Sequence, residues 1–138
     1  MRPAGDILVV DDETDIVNLV VELLQDEGYQ VRSAFNGEMA LAAIAQQQPA
    51  MILMDMYMPQ MTGIMLLEEM RTNGIADIPV ILMTASPRAA ESLLNMDLVD
   101  YLAKPFDIDQ LLQCVARNLS RDPASGASST TVRSAPRT

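Results

Sequence analysis

Histidine and tryptophan are absent from this 138-residue chain, which holds one cysteine, two phenylalanines and three tyrosines. Without histidine the chain cannot itself carry a phosphohistidine. A single cysteine, Cys114, cannot close an internal disulfide, and its place in an amphipathic helical pattern reads as a small buried hydrophobe. The longest apolar runs are about five residues, far short of the roughly 20 needed to span a bilayer. The first residues, Met1-Arg2-Pro3-Ala4-Gly5-Asp6, show neither an extended apolar stretch nor a small-residue cleavage site. A cytoplasmic protein with no membrane contact is the expectation. Basic residues are few: the net charge is −10, and phosphate contacts need clustered Lys and Arg, which argues against direct nucleic-acid binding by this chain alone.

The charge is unevenly spread. Residues 1–120 hold six basic and eighteen acidic side chains, a net of −12, whereas 121–138 hold three arginines and one aspartate, a net of +2. Every basic residue but Lys104 is an arginine. After Ser120 the composition turns to Ser, Thr, Ala, Pro, Gly and Arg with Val132 as the only large apolar residue, too little to offset the cost of ordering. One domain over 1–120 is expected, followed by a disordered tail or linker over 121–138.

Within the domain, five short strand-like runs (7–10, 29–33, 51–54, 80–83 and 99–103) alternate with five helical patterns. Such alternation predicts an α/β fold of βαβ units, a parallel sheet covered on both faces. The first helix places Ile16, Leu19, Val20, Leu23 and Leu24 on one face and stops at Gly28. The second is predicted from Asn36 to before Pro49, and the third from Thr62 to Thr72 with Asn73-Gly74 as its stop. A fourth starts at Ser86-Pro87, and a fifth follows Asp107 with Ile108, Leu111, Leu112, Val115 and Leu119 inward. Eleven methionines, with Met54, Met56, Met58 and Met61 among them, read as core gap-fillers.

In an open parallel sheet, ligands bind beyond the carboxyl ends of the strands. There the sequence puts Asp11-Asp12, Asp55, Thr84-Ala85 and Lys104-Pro105, after strands read as apolar and uncharged. Singly, each has a structural explanation: an N-cap, a helix-dipole partner, β-propensity or a strand end. Jointly they define a chemistry. Three crowded carboxylates either protonate or gather around a cation, and Mg²⁺ takes one or two carboxylates plus phosphate oxygens. Asp12 and Asp55 would bind the metal with Asp11 behind them. Lys104 and the Thr84 hydroxyl would neutralise phosphoryl oxygens while the Asp55 carboxylate attacks, giving an acyl phosphate.

The chain resembles the receiver domain of two-component response regulators over about residues 6–119. The resemblance rests on Ile7-Leu8-Val9-Val10-Asp11-Asp12-Glu13, on Asp55-Met56-Tyr57-Met58-Pro59-Gln60-Met61-Thr62-Gly63, on Met83-Thr84-Ala85, and on Tyr101-Leu102-Ala103-Lys104-Pro105-Phe106. It implies a flavodoxin-like, doubly wound, five-stranded sheet in the order 2-1-3-4-5 with five helices. It makes Asp55 the phosphoacceptor, Asp11, Asp12, Asp55 and the Tyr57 backbone carbonyl the Mg²⁺ ligands, and Thr84 and Lys104 the phosphoryl contacts. Thr84 and Tyr101 become the switch pair, and the Lys104–Pro105 peptide is expected to be cis.

The expected function is a phosphoacceptor signalling switch, with no catalysis beyond its own phosphorylation and slow dephosphorylation. The partners implied are a sensor histidine kinase or histidine phosphotransfer protein, a downstream target protein, and a second copy in a phosphorylation-dependent dimer. The alternative is a pseudo-receiver docking module that phosphorylation does not regulate. An aspartate-nucleophile phosphatase of the haloacid dehalogenase type would need a second aspartate where Tyr57 stands. A flavin binder would need a phosphate-attracting turn where Asp11-Asp12-Glu13-Thr14 stands. The sequence departs from the family in a short stretch from Thr84 to Lys104, with Asn95-Met96-Asp97-Leu98 where Gly-Ala is usual. A short or displaced fourth helix is expected, with an altered partner surface where it meets the last strand and last helix.

Overall fold

A computed structural model describes residues 6–58, 60–75, 77–86, 88, 91 and 99–119. Five parallel strands, β1 (Ile7–Val10), β2 (Val31–Ala34), β3 (Met51–Asp55), β4 (Val80–Thr84) and β5 (Val99–Ala103), form one sheet in the order β2-β1-β3-β4-β5. Helices α1 (Thr14–Asp26), α2 (Gly37–Gln46), α3 (Gly63–Thr72) and α4 (Ile108–Leu119) have described bounds, and Arg88 and Glu91 are also helical. The helix expected after Ser86-Pro87, and the short stretch at 95–98, fall largely or wholly outside the described residues.

Alternation along each strand explains why the central runs are apolar throughout. Leu8, Val10, Ile52, Met54, Val80 and Leu82 face a core shared with Ala40, Ile44, Leu66 and Met70 of α2 and α3. Ile7, Val9, Met51, Leu53, Ile81 and Met83 face the opposite core, with Val17, Val20 and Leu24 of α1 and Leu111 and Val115 of α4. A strand covered on both sides has no solvent face to mark with polar residues. Met54, Met56 and Met58 are buried and Met61 packs against the first of these cores, as gap-filling methionines should.

The helix ends follow local chemistry. Asn36 accepts the Met39 N–H at 2.8 Å, and Thr62 accepts the Met65 N–H at 3.1 Å. Asp107 and Gln110 exchange side-chain to backbone bonds at the start of α4. Gly28 and Gly74 end α1 and α3 at φ 92° and 77°.

Three expectations need correction. The second strand begins at Val31 rather than at 29, because the Tyr29 N–H donates to Leu24 O and is consumed in the end of α1. Leu19 and Ile108 do not face the core: they are 53% and 52% exposed. Two apolar stripes overlap on α1, and the sheet takes the one centred on Val17, Val20 and Leu24, which turns Leu19 outward. The strands that lead to the rim are also not all free of charge, since Asp100 lies in β5; β2, outside that set, carries Arg32.

Arg32 shows why a charge is tolerated there. Its guanidinium pairs with the nearly buried Asp6 and donates to the terminal carbonyls of α2, Ala43 O at 2.8 Å and Gln47 O at 2.6 Å. Arg32→Met is expected to cost about 1–3 kcal/mol in urea unfolding, because Asp6 and two carbonyls lose their donor at a partly solvated site. A change below about 0.5 kcal/mol would mark the clasp as energetically idle.

Candidate functional site

The sheet register sets the site. Val10 lies beside Met54, Asp55 beside Met83, and Thr84 beside Ala103, so the chain leaves β1, β3, β4 and β5 at one level. Backbone bonds continue past the strand ends, from Asp11 N to Ala34 O, Met56 N to Met83 O and Lys104 N to Thr84 O. These fix the backbone that carries each functional side chain. Asp55 and Thr84 are themselves the last residues of β3 and β4.

Asp11, Asp12 and Asp55 converge, each offering a carboxylate oxygen within 4.8 Å of the others. Asp11 is fully buried, Asp55 nearly so, and Asp12 is exposed. Lys104 Nζ donates to Asp11 Oδ2 at 3.2 Å and to Asp55 Oδ1 at 3.1 Å. Asp11 Oδ1 accepts the Glu13 N–H at 3.0 Å, holding the start of α1 against the site. One ammonium therefore faces three carboxylates.

The electrostatics record that imbalance. Burial, reinforced by the charge of Asp11, pushes the Asp55 carboxyl above its ordinary value, against the opposing hydrogen bond from Lys104. Burial works against the charge on Lys104, but Asp11 and Asp55 more than offset it and hold its pKa above the ordinary lysine value. The donor set consists of hard oxygens with an excess of negative charge, which suits a small divalent cation.

The other expected site residues are placed as follows. Thr84 is buried, and its hydroxyl accepts the Ser86 N–H at 2.9 Å and donates to Ser86 O at 3.3 Å, so it is engaged in its own turn. Tyr101 is partly buried and packs against the core shared with α2 and α3. Tyr57 is 57% exposed two residues past Asp55. The Lys104–Pro105 peptide is cis. Glu13 joins the site from outside the expected set: its Oε1 lies 3.9 Å from Lys104 Nζ, and the acidic run Asp11-Asp12-Glu13 is its signal in the sequence.

Gly63 shapes the loop after Asp55. Its N–H donates to Met56 O at 2.8 Å, and a Cβ there would stand 3.0 Å from Asp55 O and 3.1 Å from Met56 Cα. Those neighbours are backbone and cannot swing aside. Gly63→Ala is expected to lower stability by about 1–3 kcal/mol, read as a reduced Tm; an unchanged Tm would show that the loop relaxes freely.

A doubly wound sheet with an acidic, lysine-bridged rim defines a class of α/β domain built to handle a charged group at its strand ends. Residues 7–116 match the family model described as response regulator receiver domain, and the chain belongs to that family. It is 40% identical over 121 residues to the regulatory protein AtoC of Escherichia coli (strain K12), covering 86% of this chain and 26% of AtoC. The crystal structure of the NtrX receiver domain from Brucella abortus superimposes with a TM-score of 0.78 at 35% identity, covering 85% of this chain and all of that one. Chemotaxis protein CheY4 of Vibrio cholerae gives a TM-score of 0.76 at 30% identity, covering 83% of this chain and 98% of that one. The chain spans roughly a quarter to a half of the length of curated relatives that it matches. Receiver domains are signalling switches of two-component systems rather than turnover enzymes, and they work with histidine kinases and downstream effectors. No helix among the described residues is long and apolar enough to cross a membrane.

Proposed function

We propose that this domain accepts a phosphoryl group on Asp55 from a phosphohistidine of a partner protein, in a Mg²⁺-dependent step, and that the modification changes a surface read by a target protein. The observation that carries this reading is the convergence of three carboxylates with Lys104 bridging two of them. The chain has no histidine of its own to serve as donor.

Asp11, Asp12, Asp55 and the Tyr57 carbonyl would hold Mg²⁺, which when bound neutralises phosphoryl oxygens. The Asp55 carboxylate oxygen attacks phosphorus in line; an O–P bond forms, the N–P bond of the donor breaks, and the leaving imidazole takes a proton from solvent. Lys104 Nζ transfers its hydrogen bonds from Asp55 and Asp11 to a phosphoryl oxygen. The Thr84 hydroxyl gives up Ser86 and donates to another, and that movement is coupled to Tyr101. Which arrangement prevails is a balance of populations, biased by the phosphoryl group.

Phosphoramidate, a small P–N donor, tests the chemistry. Label incorporated with Mg²⁺ should be released by hydroxylamine, leaving a hydroxamate on the peptide that contains Asp55. Label that resists hydroxylamine would place it on a hydroxyl and refute the acyl phosphate.

Tyr57 bears on lifetime. Its bulk beside Asp55 would shield the acyl phosphate from water, so Tyr57→Ala is expected to shorten the phosphoryl half-life about tenfold, equivalent to roughly 1.4 kcal/mol in the hydrolysis barrier. An unchanged half-life would remove Tyr57 from the mechanism.

A further inference from the structure

Asp100 is a carboxylate, 1% exposed, at a sheet position whose neighbours on the same face are apolar. It plays no part in the phosphoacceptor chemistry, and burying a charge is costly unless it is paired. Its partners include groups on its own strand and on α4. Oδ1 accepts the N–H of Tyr101 at 2.7 Å, on its own strand. Oδ2 accepts from Asn118 Nδ2 at 2.9 Å and Arg117 at 3.0 Å, with the Cys114 thiol 4.0 Å away, all on α4. Asn118 is fully buried and also donates to Cys114 O at 2.8 Å. Positions 114, 117 and 118 share one helix face, so a polar stripe meets one carboxylate near the end of α4.

The placement of β5 gives this cluster a mechanical setting. Among the described residues β5 is an edge strand, paired with β4. Lys104, which reaches Asp55, follows one end of it, and Asp100 sits toward the other, about 13 Å away at strand rise. The donors to Asp100 lie at the C-terminal end of α4, where the chain passes on to residues 120–138. A hydrophobic residue would fill the position without the desolvation cost, but it would not fix the register of the helix end against the strand.

We infer that Asp100 is a latch that ties the end of α4 to β5, so that displacement of β5 when Lys104 engages a phosphoryl group is delivered to the chain beyond Leu119. The inference rests on the phosphoacceptor reading. It makes Asp100, Arg117 and Asn118 transmitting residues with no part in the phosphorylation step.

The test follows amide hydrogen exchange at 117–119 and the Asn118 side-chain amide resonance, with and without acetyl phosphate and Mg²⁺, with intact mass read on the same samples. In the phosphorylated wild type, exchange at the helix end should change by at least about fivefold, the low end of typical coupling between sites. Asp100→Leu, and the milder Arg117→Gln at a half-exposed side chain, should take up the phosphoryl group equally but change exchange by less than about twofold. An equal change in folded variants, or none in the phosphorylated wild type, would overturn the latch. A wild-type mass without a phosphoryl group would overturn the phosphoacceptor reading and the latch with it.

Discussion

Replacing Asp55 by Asn abolishes phosphoryl uptake from acetyl phosphate, with incorporation falling at least about a thousandfold, to the limit of detection by intact mass. The amide oxygen keeps the geometry and can still accept a bond from Lys104, but it is a poor nucleophile. The same substitution raises stability. Asp55 carries a carboxyl whose pKa is raised above 3.8 in the folded state, first by burial and then by Asp11. A raised carboxyl adds stability below its unfolded pKa and loses it as pH climbs through the folded value, so at neutral pH its charge is a liability. Unit charges at the 4.8 Å limit of this cluster repel by roughly 3 kcal/mol at an effective dielectric of 20. Lys104 offsets much of this, leaving a gain of about 1–2 kcal/mol, or several degrees in Tm, for Asp55→Asn without Mg²⁺. Thermal melts should show the gain at pH 7 and its disappearance as pH approaches 3.8. A gain that persists in acid would assign the effect to packing instead.

Replacing Lys104 by Ala drives two measurements in opposite directions. Phosphorylation slows by about a hundred- to a thousandfold, the usual loss when one oxyanion donor is removed. Mg²⁺ binding tightens several-fold, because an ammonium within 3.2 Å of Asp11 and Asp55 competes with the cation for the same carboxylates. Titrating Mg²⁺ by its quenching or chemical-shift effect on the domain separates the two. Weaker binding in the variant would mean that Lys104 organises the carboxylates rather than opposing the metal. Lys104→Arg should not rescue phosphorylation, since a planar fork cannot reproduce a point charge between two carboxylates.

Much of this was legible in the sequence because each feature carries its own physics. A strand with no polar face must be covered twice, and 51–54 and 80–83 say so in their residues. Acids placed directly after such strands, with one lysine in the entire chain at the last of them, locate a rim without any knowledge of the register. The register then brings Asp11, Asp12, Asp55 and Lys104 together, as the rim requires.

What was hidden depends on tertiary partners. Leu19 belongs to an apolar stripe as regular as the one the sheet selects, and periodicity cannot choose between overlapping stripes. Arg32 and Asp100 look like errors in a strand until their partners, 26 and 18 residues distant for Asp6 and Asn118, come into view. The engagement of Thr84 with Ser86 is equally invisible, because the same hydroxyl could point to Asp55 or into its own turn. Polar residues in strands deserve a search for a distant donor before they are set aside.

The most direct measurement is intact mass after incubation with acetyl phosphate, in Mg²⁺ and in EDTA. Wild type should gain one phosphoryl group, about 80 Da, in Mg²⁺ only, and Asp55→Asn should gain none, as a Mg²⁺-dependent acyl phosphate on Asp55 requires. No gain in Mg²⁺, or a gain that survives in Asp55→Asn, would contradict it.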